Sequence, residues 1–402
     1  MNGKLIRTFK KDSPVTSLDW DLTNFKAIPV AGGVYLIHVE VPEVGEVVLK
    51  FFGGMRTIFS CLLVGGFSFL VYGGNEDRVG SAGASHLLIN PWARGSAIGD
   101  AGVACINGLE AQYNNIAGLA FTDKTQIKFN YSNWMGNAGI GLNSAGIAQR
   151  VGESNVIAVS VQSMNYGDVP ITTVANPEGN IGFFSPRANI FNVGFAKKFS
   201  SSIYGGINFK VVTESIFNLR SSGIALDAGI RYVTGEQNQL KFGIALKNVG
   251  PVMRFKGDGL SNQVEYVSSE FIATLEQRSA SYELPSLLNI GGSYDFIFSE
   301  ESRLTVAGAF QANSFSKDQI RLGLDYGMVT EKLAFNLRGG FAYENGILSA
   351  ENRSNALVGP TAGFSVDALV GKSKSALGVE YAARFAGVFG IIHTLGVTVS
   401  LK

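Results

Sequence analysis

From Thr125 to the carboxy terminus the chain alternates between an oily side chain and a polar or small one, and a period of two dictates strands with two unlike faces. Phe191, Val193 and Phe195 share one face, while Asn192, Gly194 and Lys198 take the other. The phase recurs with Ile224, Leu226, Ile230 and Tyr232 opposite Asp227 and Arg231, and with Leu240, Phe242, Ile244 and Leu246 opposite Lys241 and Lys247. A soluble sandwich also alternates, but its polar face is solvated and rich in Lys, Glu and Thr. Here that face carries Gly, Ala, Asn and Ser with isolated charges of both signs, which suits a filled lumen whose outer wall meets lipid.

Connection lengths test this independently, because outer-membrane barrels have short periplasmic turns and longer outer loops in strict alternation. With the strand near Thr125 taken as rising, the connections at 152–155, 200–202, 235–238, 299–302, 330–331 and 371–374 are all short. Every long connection, at 166–189, 250–286 and 344–355, falls on the opposite side. The expectation is an all-β transmembrane barrel of about fourteen antiparallel strands in a bacterial outer membrane. Tyr232, Tyr326, Phe341 and Tyr343 fall near strand ends, where girdles at the membrane interfaces would place them.

Composition narrows the function. Fifty Gly and only 16% charged residues suit an all-β chain, and a net charge of +1 with no basic patch argues against nucleic acid as a partner. Two Cys and three widely spaced His support neither a metal site nor a nucleophile–base pair, so no catalytic residue, metal or cofactor is expected. The glycine-rich GSAIGDAGVACING follows no buried strand of a βαβ unit, so it does not read as a nucleotide loop. Inward charges at Lys128, Lys198, Lys210, Asp227, Arg231, Lys241, Lys247, Asp295, Arg321, Asp325, Arg338, Asp367, Glu380 and Arg384 are expected to pair across strands and to anchor a plug, since unpaired charge in a confined lumen is costly. A selective pore is the other reading of the same residues.

Ahead of the barrel the chain divides into three. Residues 1–54 contain the turn Ala31-Gly32-Gly33, the strand from Val34 to Val39 and a returning strand from Glu46 to Phe52, a small hairpin unit of sandwich type. Residues 55–73 hold Met55 and Arg56, then the apolar run Ile58 to Val71, then Gly73. That is the tripartite pattern of a signal peptide, with an apolar stretch too short to span a bilayer comfortably. Cys61 lies inside that stretch, which does not fit a lipoprotein. Residues 74–120 lack alternation and read as an amino-terminal plug, leaving 121–402 as the barrel.

Two stretches carry a resemblance. GVYLIHVEVPEVGEVVLKFFG, with Gly33, Val34, Tyr35, Gly45 and Lys50, resembles the last strands of the sorting domain of type IX secretion cargo. LLINPWARGSAIGDAGVA followed by GLEAQYNNIAGLAF resembles the amino-terminal signature of the PorV/PorQ family of type IX secretion, itself within the wider group of FadL-like barrels. The matching positions are Ala93, Arg94, Gly99, Ala101, Gly102, Val103 and Ala104, then Tyr113, Asn115, Ala117, Gly118, Leu119 and Ala120. Ile116 stands where the family usually has Pro, and Lys402 closes the chain where many outer-membrane barrels end in an aromatic residue.

The resemblance implies a shuttle that binds the carboxy-terminal β-domains of secreted cargo and passes them to other secretion-system proteins at a surface attachment complex. It also implies that residues 1–54 are the end of an upstream reading frame, with Met55 as the functional start and a mature chain beginning near Gly74. Outer loops would offer apolar contacts at Val169, Pro170, Ile171, Phe183, Phe184, Val252, Met253, Phe255, Tyr266, Val267, Phe271 and Tyr282. The same architecture also serves a FadL-like transporter of hydrophobic small molecules or a purely structural barrel, because fold does not fix function.

Overall fold

A computed structural model describes residues 4–9, 20–41, 45–53, 75–173, 176–266, 271–347, 355–371 and 375–402. The apolar run at 55–73 lies outside them. Fourteen strands form the wall: β1 (Thr125–Trp134), β2 (Ile140–Val151), β3 (Asn155–Asn165), β4 (Arg187–Lys198), β5 (Ile203–Ile216), β6 (Leu219–Thr234) and β7 (Leu240–Val249). They continue as β8 (Leu287–Ile297), β9 (Ser302–Asn313), β10 (Gln319–Val329), β11 (Leu333–Glu344), β12 (Gly359–Val370), β13 (Ser375–Phe385) and β14 (Ile391–Leu401).

Each strand pairs antiparallel with its sequence neighbour, and β14 closes on β1 with Leu401 opposite Thr125 and His393 opposite Asn133. Closure leaves the wall no open edge, which is what lets a sheet sit in hydrocarbon. One register shift interrupts the ladder, between Leu226 and Ala228, and there the Asp227 carboxylate accepts the Asn248 backbone N–H at 2.8 Å.

The alternation becomes an outside and an inside. On β6, Ile224, Leu226, Ile230 and Tyr232 are exposed to the lipid side, whereas Ala225, Asp227 and Arg231 are buried. Tyr326, Phe341 and Tyr343 also point outward. Lys198 departs from the expectation: it lies exposed at the periplasmic end of β4, two residues past Ala196, the last buried inward position, so it is not a lumen charge.

Residues 75–124 fill the lumen, with a short helix α1 (Ala93–Ala97), a second α2 (Ala111–Asn114) and the 3-10 turn Ile116–Phe121. Ile98, Ile106, Leu109, Ile116 and Leu119 of this plug pack on the small inward residues Ala148, Ala158 and Ala196. In the amino-terminal unit, Gly33–Val41 and Gly45–Gly53 form a hairpin with Gly33 opposite Gly53. Among the described residues these strands pair only with each other.

Candidate functional site

Charged groups of plug and wall meet in buried pairs. Lys128 of β1 donates to Glu110 of the plug and, at 2.9 Å, to Glu380 of β13. Arg384 donates to Asp100 at 2.6 Å, and Arg321 lies 3.5 Å from the same carboxylate. Asp325 of β10 sits between Arg338 at 3.2 Å and Arg94 of the plug at 3.4 Å. Two further pairs stay within the wall: Lys210 with Asp227 at 2.6 Å and Lys241 with Asp295 at 2.5 Å. These pairings match the anchoring role expected of inward charges.

The signature residues of the plug hold its own turns and its fit to the wall. Arg94 reaches Asp325, and Tyr113 donates its hydroxyl to the Leu88 carbonyl at 2.7 Å while Lys247 lies 3.5 Å from its ring. The Asn115 amide donates to the Val103 carbonyl at 3.0 Å and to that of Ile230 at 3.1 Å, and its oxygen accepts from Ala117. Leu119 is fully buried. Gly99 has a φ of +65° and lies against Phe341 of the wall, Gly102 lies against Ile106, and a side chain at Gly118 would meet the Ile106 carbonyl at 2.2 Å. Ile116, in the place of the family's Pro, fits where Gly194, Gly206 and Gly229 leave room on the wall.

Sheet register sorts the inner-face residues of β2 to β5 into rows. Leu142, Met164 and Ala188 stand in one row near the outer mouth; the next holds Ser144, Gln162, Ile190 and Val212; below come Gly146, Ser160, Asn192 and Lys210, then Ala148, Ala158, Gly194 and Asn208. Leu142 and Met164 cluster with Trp134 of β1, Ile392 of β14 and Ile89 of the plug, while Ile190 and Val212 cluster with Leu87 of the plug. On the opposite arc Gln311, Gln319 and Arg321 line a space beside Asp100 and Arg384. The outer mouth is thus an apolar vestibule on one side and a charged one on the other. Sequence reasoning separated inside from outside but missed these clusters, which join inward residues of several strands to residues of the plug.

The loop residues divide in the same way. Val169 and Pro170 pair with Phe184 and Phe183, Ile171 donates its N–H to the Gly182 carbonyl, and Phe183 is 70% exposed. Phe184 lies 5.5 Å from Phe217, and Val252 is exposed. Tyr266 and Phe271 are backbone register partners in a second loop hairpin, 261–266 with 271–276, and Val267 falls outside the described residues.

Met253, Phe255 and Tyr282 do not present themselves as contacts, because all three are buried. Met253 and Tyr282 exchange backbone hydrogen bonds of 2.9 and 2.8 Å, which folds this loop inward onto Gly223 of β6. The Tyr282 hydroxyl donates to Glu214 at 2.6 Å. Burial pushes that hydroxyl's pKa up, and the neighbouring carboxylate pushes it further.

No protein-family model and no curated protein matches the chain. Among solved structures it is similar to the toluene transporter TodX of Pseudomonas putida, with 11% identity over 78% of this chain and 98% of that one and a TM-score of 0.49. It is also similar to the monoaromatic hydrocarbon channel CymD, at 12% identity over 78% and 98% with a TM-score of 0.48. A FadL homologue of Pseudomonas aeruginosa gives 12% identity over 77% and 98%, with a TM-score of 0.47. On its own geometry, a closed antiparallel wall with an oily exterior and a filled polar interior, the chain is a fourteen-stranded β-barrel of a bacterial outer membrane.

Proposed function

We propose that the protein is an outer-membrane transporter that receives a hydrophobic small molecule in the apolar vestibule beneath its outer mouth. The observation that carries this reading is the pair of apolar clusters under the outer mouth, one with the inward-facing Leu142 and Met164 and the other with Ile190 and Val212. A water-filled pore has no use for such clusters, whereas a site for an apolar ligand is lined by apolar side chains with a few polar groups beyond them. Passage then requires the plug to shift, since the lumen below is packed. The test is uptake of the hydrophobic dye N-phenyl-1-naphthylamine by cells carrying Ile190→Asp or Val212→Asp. Uptake should fall while barrel assembly persists, and unchanged uptake refutes the reading.

A second reading is favoured by the hairpin 33–41 with 45–53, whose Val34 and Leu36 rest against this vestibule. In it the mouth receives the β-domains of secreted cargo, as the type IX resemblance implies, and the exposed loop residues Phe183 and Val252 extend the contact. Deleting part of 250–286 should then leave the barrel assembled but abolish capture of cargo sorting domains in pull-downs. A transporter carrying the same deletion changes dye uptake and leaves secreted cargo at the surface unaffected.

A further inference from the structure

The vestibule is already occupied. Asn24 is completely buried against the start of the plug, where its amide donates to the carbonyls of Asp77 at 3.1 Å and Val79 at 2.6 Å. Its side-chain oxygen accepts from the backbone N–H of Lys26 at 2.8 Å and of Ile28 at 3.1 Å. A buried amide left unpaired is costly, so this full set of partners marks a fitted contact and not a casual apposition.

From there the chain runs over the mouth. Val30 and Ala31 are each 4% exposed, and the Ala31 N–H donates to the Gly80 carbonyl at 2.8 Å. Ala31 belongs to the apolar cluster of Leu87, Ile190 and Tyr282, while Val34 and Leu36 pack on that of Met164 and Tyr166. The base beneath is itself tied to outer loops, since Arg78 donates to Glu283 at 2.6 Å and lies 4.2 Å over the Phe315 ring. Residues 20–41 therefore bridge both apolar clusters that form the vestibule.

We propose that the vestibule is a receptor surface for an extended segment and that residues 20–41 of this same chain occupy it in cis, holding the outer mouth shut for as long as they remain attached. The fit is chemical: a buried Asn ties the segment to plug carbonyls, a small Ala joins the cluster of Leu87 and Ile190, and Val34 and Leu36, on one face of a strand, pack on the cluster of Met164. The proposal rests on the vestibule being a binding surface, and removal of residues ahead of Gly74 would convert the capped chain into an open one.

The test uses the full chain with Cys61→Ser and a reporter Leu36→Cys, purified in detergent; the native Cys105 is buried. A bulky maleimide should label the reporter slowly, and several-fold faster when Ala31→Asp is added. Asn24→Ala, which removes the amide without adding charge, should give the same direction and serves if the first variant does not fold. N-phenyl-1-naphthylamine should brighten with both variants and stay dim with the parent. Equal labelling rates in parent and variants overturn the cap, as does dye binding by the parent equal to theirs. Faster labelling without any dye binding upholds the cap and refutes the hydrophobic-ligand reading instead.

Discussion

Arg384, on the inner face of β13, donates to Asp100 of the plug at 2.6 Å, and both side chains are buried. Asp100 also accepts from the Asn90 amide at 2.6 Å, so one carboxylate organises the turn of the plug and its tie to the wall together. Truncating one partner of a buried pair costs about 3–5 kcal/mol, because the other charge is left uncompensated. Arg321, 3.5 Å from Asp100, offsets part of that. Arg384→Ala should therefore speed proteolysis within residues 75–120 while the barrel keeps its heat-modifiable migration. A plug as resistant as the parent's would show that the pair does not anchor it.

The wall makes a second prediction at Ile244, which is 52% exposed on the lipid side of β7. An Arg near the bilayer midplane costs about 2–4 kcal/mol. Ile244→Arg should reduce the assembled fraction in the outer membrane. Lys241→Gln should be milder, since Lys241 is only partly buried and Asp295 keeps the Thr305 hydroxyl at 2.8 Å. The reverse ranking would mean that inside and outside had been exchanged.

Gly340 of β11 sets the closest approach of plug to wall. A Cβ there would lie 2.2 Å from the Ile98 carbonyl carbon and 2.3 Å from the Gly99 nitrogen, both backbone atoms that cannot swing aside. Overpacking of this kind costs about 1–3 kcal/mol. Gly340→Val should lower the urea midpoint, whereas Gly339→Val, whose Cβ would meet nothing nearer than 4.0 Å, should disturb the plug less. Comparable losses at the two sites would disprove the close-contact argument.

The membrane form is expected to begin near Gly74, as the charged start, apolar run and small residues of 55–73 require of a signal peptide. Amino-terminal sequencing of outer-membrane material decides this. Recovery of residues 1–54 on the barrel would refute cleavage.

Much of this architecture could be read from residues one at a time. Strand phase at Leu226 against Asp227, the alternation of short and long connections, and the inward charges all follow from local pattern, since a period of two carries its own orientation. Pairings such as Lys128 with Glu110 and Glu380 did not, because they join positions far apart in the chain and depend on how far the plug descends. The same holds for Met253 and Tyr282, which read as exposed loop residues until the bridge between them turned both inward. The apolar vestibule was hidden for a different reason: Met164, Ile190 and Val212 each look like one more inward residue, and only the plug and loop residues that cluster with them make a surface.

The seam between β14 and β1 fixes the order of assembly. Thr125, directly after the plug, ends up beside Leu401, so the wall cannot be sealed before the last strand has been made. The segment that precedes β1 lies in the lumen that this last join encloses. Lys128 spans the junction, since it sits on β1 and meets Glu110 within the lumen and Glu380 on β13, beyond the seam. The last join in the ring is thus held from the inside by the plug as well as along its own ladder.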